Sequence, residues 1–209
     1  MKKRVFAVLA VMLALFACAG RIAYVNGTAE KAPKTSYYVK GEELSIGKNI
    51  FDKYMDGEQA DGYYVTLTNA KLVPIEEFLQ EYKLTKEKAM PKALRAEKEN
   101  TMPAVDYIYE VKIHVTNKTN ALVGKAGINL MRWDLLATDF SVQIQQELYT
   151  CLNPFAKGSL TFSVKEGASR DFILPYGICS SVISPEKLKQ RNPSVIISEY
   201  PVRKMIKLV

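Results

Sequence analysis

The sequence predicts a mainly β fold: an antiparallel β-sandwich with one helical insertion at about 75–98 and a membrane-targeting helix at the N-terminus. Three observations predict it. Tyr107, Tyr109, Val111, Ile113 and Val115 alternate with Ile108, Glu110, Lys112 and His114, a period of two that gives one packed and one wet face. Shorter alternations recur along the chain, each closed by turn residues, as in a strand-built sandwich. Between two of them, Ile75, Phe78, Leu79 and Tyr82 keep the i, i+3, i+4, i+7 spacing of a helix behind Pro74, which suits a first helical turn.

Residues 1–26 read as a targeting segment. Lys2, Lys3 and Arg4 precede an uncharged run from Val5 to Ala19, so cations would stay cytoplasmic while the apolar stretch enters the bilayer. Three fates compete. Leu15-Phe16-Ala17-Cys18 matches a bacterial lipobox at Leu15 and Ala17, though not at the bulky Phe16, and would leave Cys18 as a lipidated N-terminus. Ala17-Cys18-Ala19 is also a small-x-small cleavage site that would release a chain starting at Gly20. Left uncleaved, the stretch from Val5 to Val25 carries only Arg21, and about 20 residues suffice to cross a bilayer. All three fates place residues 27–209 outside the cytoplasm. Residues 27–36 are small, polar and Pro-containing, which suits a linker.

The body is expected over residues 37–209. Its first strand falls at 37–46, followed by an acidic, turn-rich loop at 52–62. A strand at 63–72 puts Tyr63, Val65 and Leu67 on one face. The helical excursion continues to residue 100 with charges of both signs, the mark of a solvated face. Asn117-Lys118-Thr119-Asn120 ends the central strand with turn chemistry. Residues 126–136 read as an apolar strand carrying Trp133 as a core or near-core ring. Half-buried strands follow at 160–164 and 172–176, a short helical turn at 185–191, and last strands at 194–198 and 202–208.

Charge and motifs exclude more than they assign. The formal net charge of +7 includes Lys2, Lys3, Arg4 and Arg21; setting these aside leaves 25 basic residues against 22 acidic. The basicity is thus mostly a targeting feature, and no nucleic-acid partner is expected. A single histidine, His114, removes mechanisms that need two imidazoles. The chain lacks a Gly-x-Ser-x-Gly elbow, a phosphate-cradling glycine loop and a Cys-x-x-Cys pair. His114 with Cys151 or Cys179 is the one Cys/His pair that can be written, and nothing in the sequence brings them together. No catalytic residue, cofactor or metal is therefore expected. Cys151 and Cys179 are either a disulfide, permitted outside the cytoplasm, or two buried thiols. The order Asp52-x-Tyr54-x-Asp56-Gly57 resembles a calcium loop, but Tyr54 and Tyr63 stand where oxygen donors belong. The same residues, Asp52, Tyr54, Asp56 and Tyr63, form the candidate binding surface, since tyrosine offers broad contact with a polar tip.

Four segments carry a family resemblance: YIYEVKIHVTN at 107–117, GINLMRWDL at 127–135, Leu152-Asn153-Pro154, and FILPYG at 172–177. Together with the basic leader ending in RIAYVN and the closing YPVRKMI run, they resemble the Ig-like, telokin-like extracellular domains of unknown function in Gram-positive surface proteins and lipoproteins. The resemblance implies an Ig-like sandwich and brings no catalytic residues. Both downstream cysteines follow Trp133, so the Cys-Trp-Cys order of antibody domains is absent. The expectation is a membrane-tethered, extracytoplasmic surface module that binds an envelope ligand or protein. The alternatives are an envelope hydrolase with an unrecognised active site and a subunit of a larger surface assembly.

Overall fold

The computed structural model describes residues 12, 15–22, 24, 33–48, 60–121 and 127–208. It divides into two units, Met1–Ala32 and Pro33–Val209. In the first, residues 15–22 are helical and exposed. Among the described residues no helix is long and apolar enough to cross a membrane.

The second unit is mainly β, with several sheets. One holds β2 (Glu43–Ser45), β3 (Tyr63–Pro74), β4 (Tyr107–Asn117) and β9 (Ser169–Ile178) in the order β2-β3-β4-β9, all antiparallel. Another takes the order β1-β11-β10-β6-β7, from β1 (Lys34–Tyr38), β6 (Leu135–Ala137), β7 (Phe140–Val142), β10 (Ser194–Ser198) and β11 (Val202–Lys207). A short pair joins β5 (Ile128–Asn129) to β8 (Thr161–Phe162). The pairing of β1 with β11 is parallel, a departure from the antiparallel expectation. The linker expected at 27–36 also gives way at its end, because Lys34, Thr35 and Ser36 already belong to β1.

The period of two in β4 translates directly into two packing environments. Val111, Ile113 and Val115 face a core that also takes Val65 and Leu67 from β3, and Phe172, Leu174 and Tyr176 from β9. Leu135, Val195, Ile197 and Ile206 of the five-stranded sheet enter the same core, with Trp133 among them. Lys204 of β11 adds a polar link between the two sheets by donating to the carbonyl oxygens of Ser45 (2.6 Å) and Ile46 (3.1 Å).

The opposite side of β4 meets helices. Ile108 packs with Ile75, Phe78 and Leu79 of α1 (Ile75–Glu81), Ala89 of α2 (Lys86–Ala89), Met90, and Leu148 of α4 (Gln146–Leu152). Between α2 and α4 runs α3 (Pro91–Lys98). Left-handed residues stop two of these helices: Lys83 follows α1 and Asn100 follows α3. Leu84 donates back to Leu79 O, and Thr101 to Ala96 O, closing each end in a Schellman turn. α5 (Pro185–Gln190) falls where the sequence expects a helical turn, with Ser184 capping it through the Lys187 amide.

Candidate ligand cleft

The helical excursion leaves a cleft beside the sheet. Its volume is about 560 Å³, in the range of small-molecule pockets, and its lining is mostly apolar. One wall is the inward stripe of α3, where Ala93, Ala96 and Glu97 share a face. Met102, Pro103, Val105, Gln143 and Ile144 also line the cleft, with Gly177 near the end of β9 and Cys179 just beyond that strand. A Cβ on Gly177 would come within 3.2 Å of both Val105 methyls, so the glycine lets the segment before β4 pack closely against the end of β9.

Most charges lining this cleft hold the fold. Pro91 opens α3, and the Glu147 carboxylate from α4 accepts from the amides of Lys92 (3.2 Å) and Ala93 (3.3 Å). A carboxylate thus caps a helix N-terminus from another element, satisfying orphan donors and favouring the helix dipole. Lys86 pairs with Glu97 at 2.7 Å across the turn between α2 and α3. Lys92 is different: its ammonium has no ion-pair partner among the described residues.

The Cys179 thiol approaches Pro103 O at 3.6 Å. Burial, with Asp106 and Glu97 nearby, pushes its pKa up, so the nucleophilic thiolate is disfavoured at neutral pH. Beyond it, the amide and hydroxyl of Ser180 both bond Asp106, fixing the exit from β9.

His114 is elsewhere. Its Nδ1 lies 2.6 Å from Asp171 Oδ1 on the wet side of β4, with Asp171 82% exposed. Ile178, just before Cys179, pairs with Tyr107, seven residues along the strand from His114. That is about 23 Å at the usual strand rise, so His114 cannot serve Cys179. Among the described residues no group of three or more His, Cys, Asp or Glu could hold a metal ion.

Of the candidate binding surface, Asp52, Tyr54 and Asp56 lie outside the described residues. Tyr63 does not belong to a surface. It is 1% exposed; its hydroxyl donates to Val164 O (3.1 Å) and accepts from Val164 N (3.0 Å). A side chain on Gly127 would overlap its ring, so the tyrosine is seated against bare backbone. The disulfide is likewise corrected: Cys151 and Cys179 are both free. Nor are they two buried thiols, for Cys151 is exposed on α4 and Cys179 partly so behind the cleft. Cys18 is free and exposed in its own unit.

Sequence reasoning missed the cleft. Its signal was weak: Ala93 and Ala96 at i, i+3 on an otherwise charged helix, and a glutamine-rich stretch at 143–146 that no strand or helix period explains.

The pattern of a family described as a domain of unknown function, DUF5028, covers residues 35–204. No curated protein and no solved structure matches.

Proposed function

We propose that this chain, which belongs to the DUF5028 family, is a membrane-tethered, extracytoplasmic Ig-like module that binds a ligand and does not transform it. The observation that carries this reading is the state of the cleft. It is concave and mostly apolar, yet Glu147 caps a helix, Lys86 is paired with Glu97, and the one thiol, its pKa pushed up by burial, has no histidine in reach. Groups occupied in this way offer shape and a greasy surface, which suits recognition. The Ig-like part of the reading draws on two larger sheets that fill one core around Trp133, and on the resemblance of four of its segments.

The tether rests on the leader, where three cations precede an uncharged run. Fractionation with metabolic fatty-acid labelling of wild type and Cys18→Ala tests it. Label in wild type alone makes the chain a lipoprotein. Unlabelled protein in the membrane fraction for both supports a span, and unlabelled protein released to the medium supports cleavage. Intact protein in the cytosolic fraction would overturn the proposal.

The competing class, an envelope hydrolase, has the concavity of the cleft in its favour. Hydrolysis of cell-wall material abolished by Cys179→Ser or Glu147→Gln would establish it in place of binding.

A further inference from the structure

We propose that the cleft holds an extended, uncharged segment of a partner protein, its main chain read by the side-chain amides of Gln143 and Gln145 and its small apolar side chains set against Ala96 and Met102. This rests on the reading of the cleft as a recognition site and names its ligand class, but it does not depend on where the protein resides.

Three observations select that chemistry. First, the charges of the cleft balance. Lys86 closes on Glu97 at 2.7 Å, and the Glu147 carboxylate sits at the very turn that carries Lys92, accepting from its backbone amide at 3.2 Å. Two ammonium groups thus meet two carboxylates, and a charged guest would be desolvated with no counter-ion left for it. Second, the cleft offers amides that nothing occupies. Gln143, Gln145 and Gln146 line it, and their side chains make no hydrogen bond among the described residues. Ile144 bridges antiparallel to Tyr176, and the Gln145 amide donates to Pro175 O, so residues 143–145 run extended along β9. Side chains alternate in an extended segment, which puts Gln143 and Gln145 on one side, about 7 Å apart. An extended guest beside them presents its peptide groups along one edge at that same interval, and each primary amide can donate to a C=O and accept from an N–H. A hydrocarbon guest would cover these amides and leave them unmatched. Third, none of the described residues lining the cleft is aromatic, so a ring-shaped guest has nothing to stack on. Ala93 and Val105 are already packed against the helical cluster, which leaves Ala96 and Met102, the latter 65% exposed, for side-chain contact. An unbranched thioether adapts to small apolar side chains of varied shape.

The test is calorimetric titration of the full chain with an end-blocked hexapeptide of alanine, valine and serine, read together with protection of Cys179 from alkylation, mapped by mass spectrometry. Because the main chain carries the recognition, one such sequence suffices. Two further probes are the same peptide N-methylated at alternate residues and the same peptide with a lysine or a glutamate at its centre. The expected result is saturable binding that shields Cys179 and leaves exposed Cys151 open to alkylation. Methylation or a central charge should weaken binding about ten-fold, since each strands a polar group. Gln143→Leu and Gln145→Leu keep the size of the side chain and remove its amide. Each should weaken the parent peptide about five-fold, the worth of a neutral hydrogen bond, and leave the methylated peptide unchanged. Ala96→Trp, which fills the cleft from α3, should abolish binding; the two leucine variants carry the test if that variant disturbs folding. No saturable binding, binding that leaves Cys179 unshielded, or equal affinity for the parent, methylated and charged peptides would overturn the proposal. Cleavage of the bound peptide would overturn the non-catalytic reading and leave this site standing, whereas indifference to methylation overturns this site and leaves the binding module standing.

Discussion

The two apolar clusters on either side of β4 are stabilised by different chemistry. In the main core, three buried polar side chains are neutral and paired with backbone, although the Tyr149 hydroxyl is buried there without a hydrogen-bond partner. Asn153 donates to Tyr149 O and Ile173 O and accepts from Ile173 N, so its amide stands in for a neighbouring strand beside β9. Asn117 likewise donates to Asn120 O and Val164 O, and Tyr176 donates to Trp133 O. The helical side uses ions. Glu110 is fully buried between Lys112 (2.9 Å) and Lys71 (3.5 Å), and Lys71 reaches Glu81 on α1 at 2.6 Å. Amide-to-backbone bonds fix register, while an ion cluster half open to water tolerates rearrangement.

The comparison breaks first on large core deletions. Trp133→Ala should cost about 3–5 kcal/mol by urea unfolding, a large share of the stability of a domain this size. Phe78→Ala removes a ring of the same class from the smaller cluster, and should instead raise amide exchange over residues 75–98 with a smaller shift of the global midpoint. Equal shifts would show that the two clusters unfold as one unit. Asn153→Ala comes next, at about 2 kcal/mol, because it strands both backbone groups of Ile173. Glu110→Gln should cost about 1–2 kcal/mol, less than a closed ion pair, since both lysines keep about a third of their surface in water.

The smallest effect is a pH dependence. The hydrogen bond from Lys71 holds the Glu81 carboxyl below its ordinary 4.5. A depressed folded pKa gives stability that is fully present above the unfolded value and lost as pH falls through the folded one. The melting temperature should therefore drop below pH 4.5, and Glu81→Gln should flatten that part of the curve by under about 1 kcal/mol, the surface-pair range. Thiol reactivity sharpens the picture of the cleft: iodoacetamide should modify exposed Cys151 before Cys179 at pH 7.5, with Cys179 catching up as pH rises.

How much of this was legible in the sequence depended on how local its cause was. The alternation at 107–115 became β4, and Ile75, Phe78 and Leu79 became the buried stripe of α1, because one neighbour layer enforces each period. The apolar run at 126–136 misled. It splits into β5, a 3-10 turn at Leu130–Arg132 and β6, since the Asn129 side chain accepts from Met131 N and Trp133 N bonds back to Leu130 O. A side chain competing for backbone leaves no trace in a hydropathy pattern. Residues 37–46 divide likewise at Gly41, whose φ of 84° turns the chain from one sheet to the other. The motif Leu152-Asn153-Pro154 was visible, but its meaning lay 20 residues away at Ile173. The cleft was least legible of all, being a space between elements whose own patterns are unremarkable.

The parallel ladder of β1 and β11, with Lys34 beside Val202 and Tyr38 beside Ile206, has a mechanical meaning. Traction applied at Pro33 and resisted at Leu208 draws the two strands in opposite senses along their length. All five rungs then strain together, whereas a hairpin pulled from its open end parts one rung at a time. A pull entering the domain through β1 would thus load the whole ladder at once.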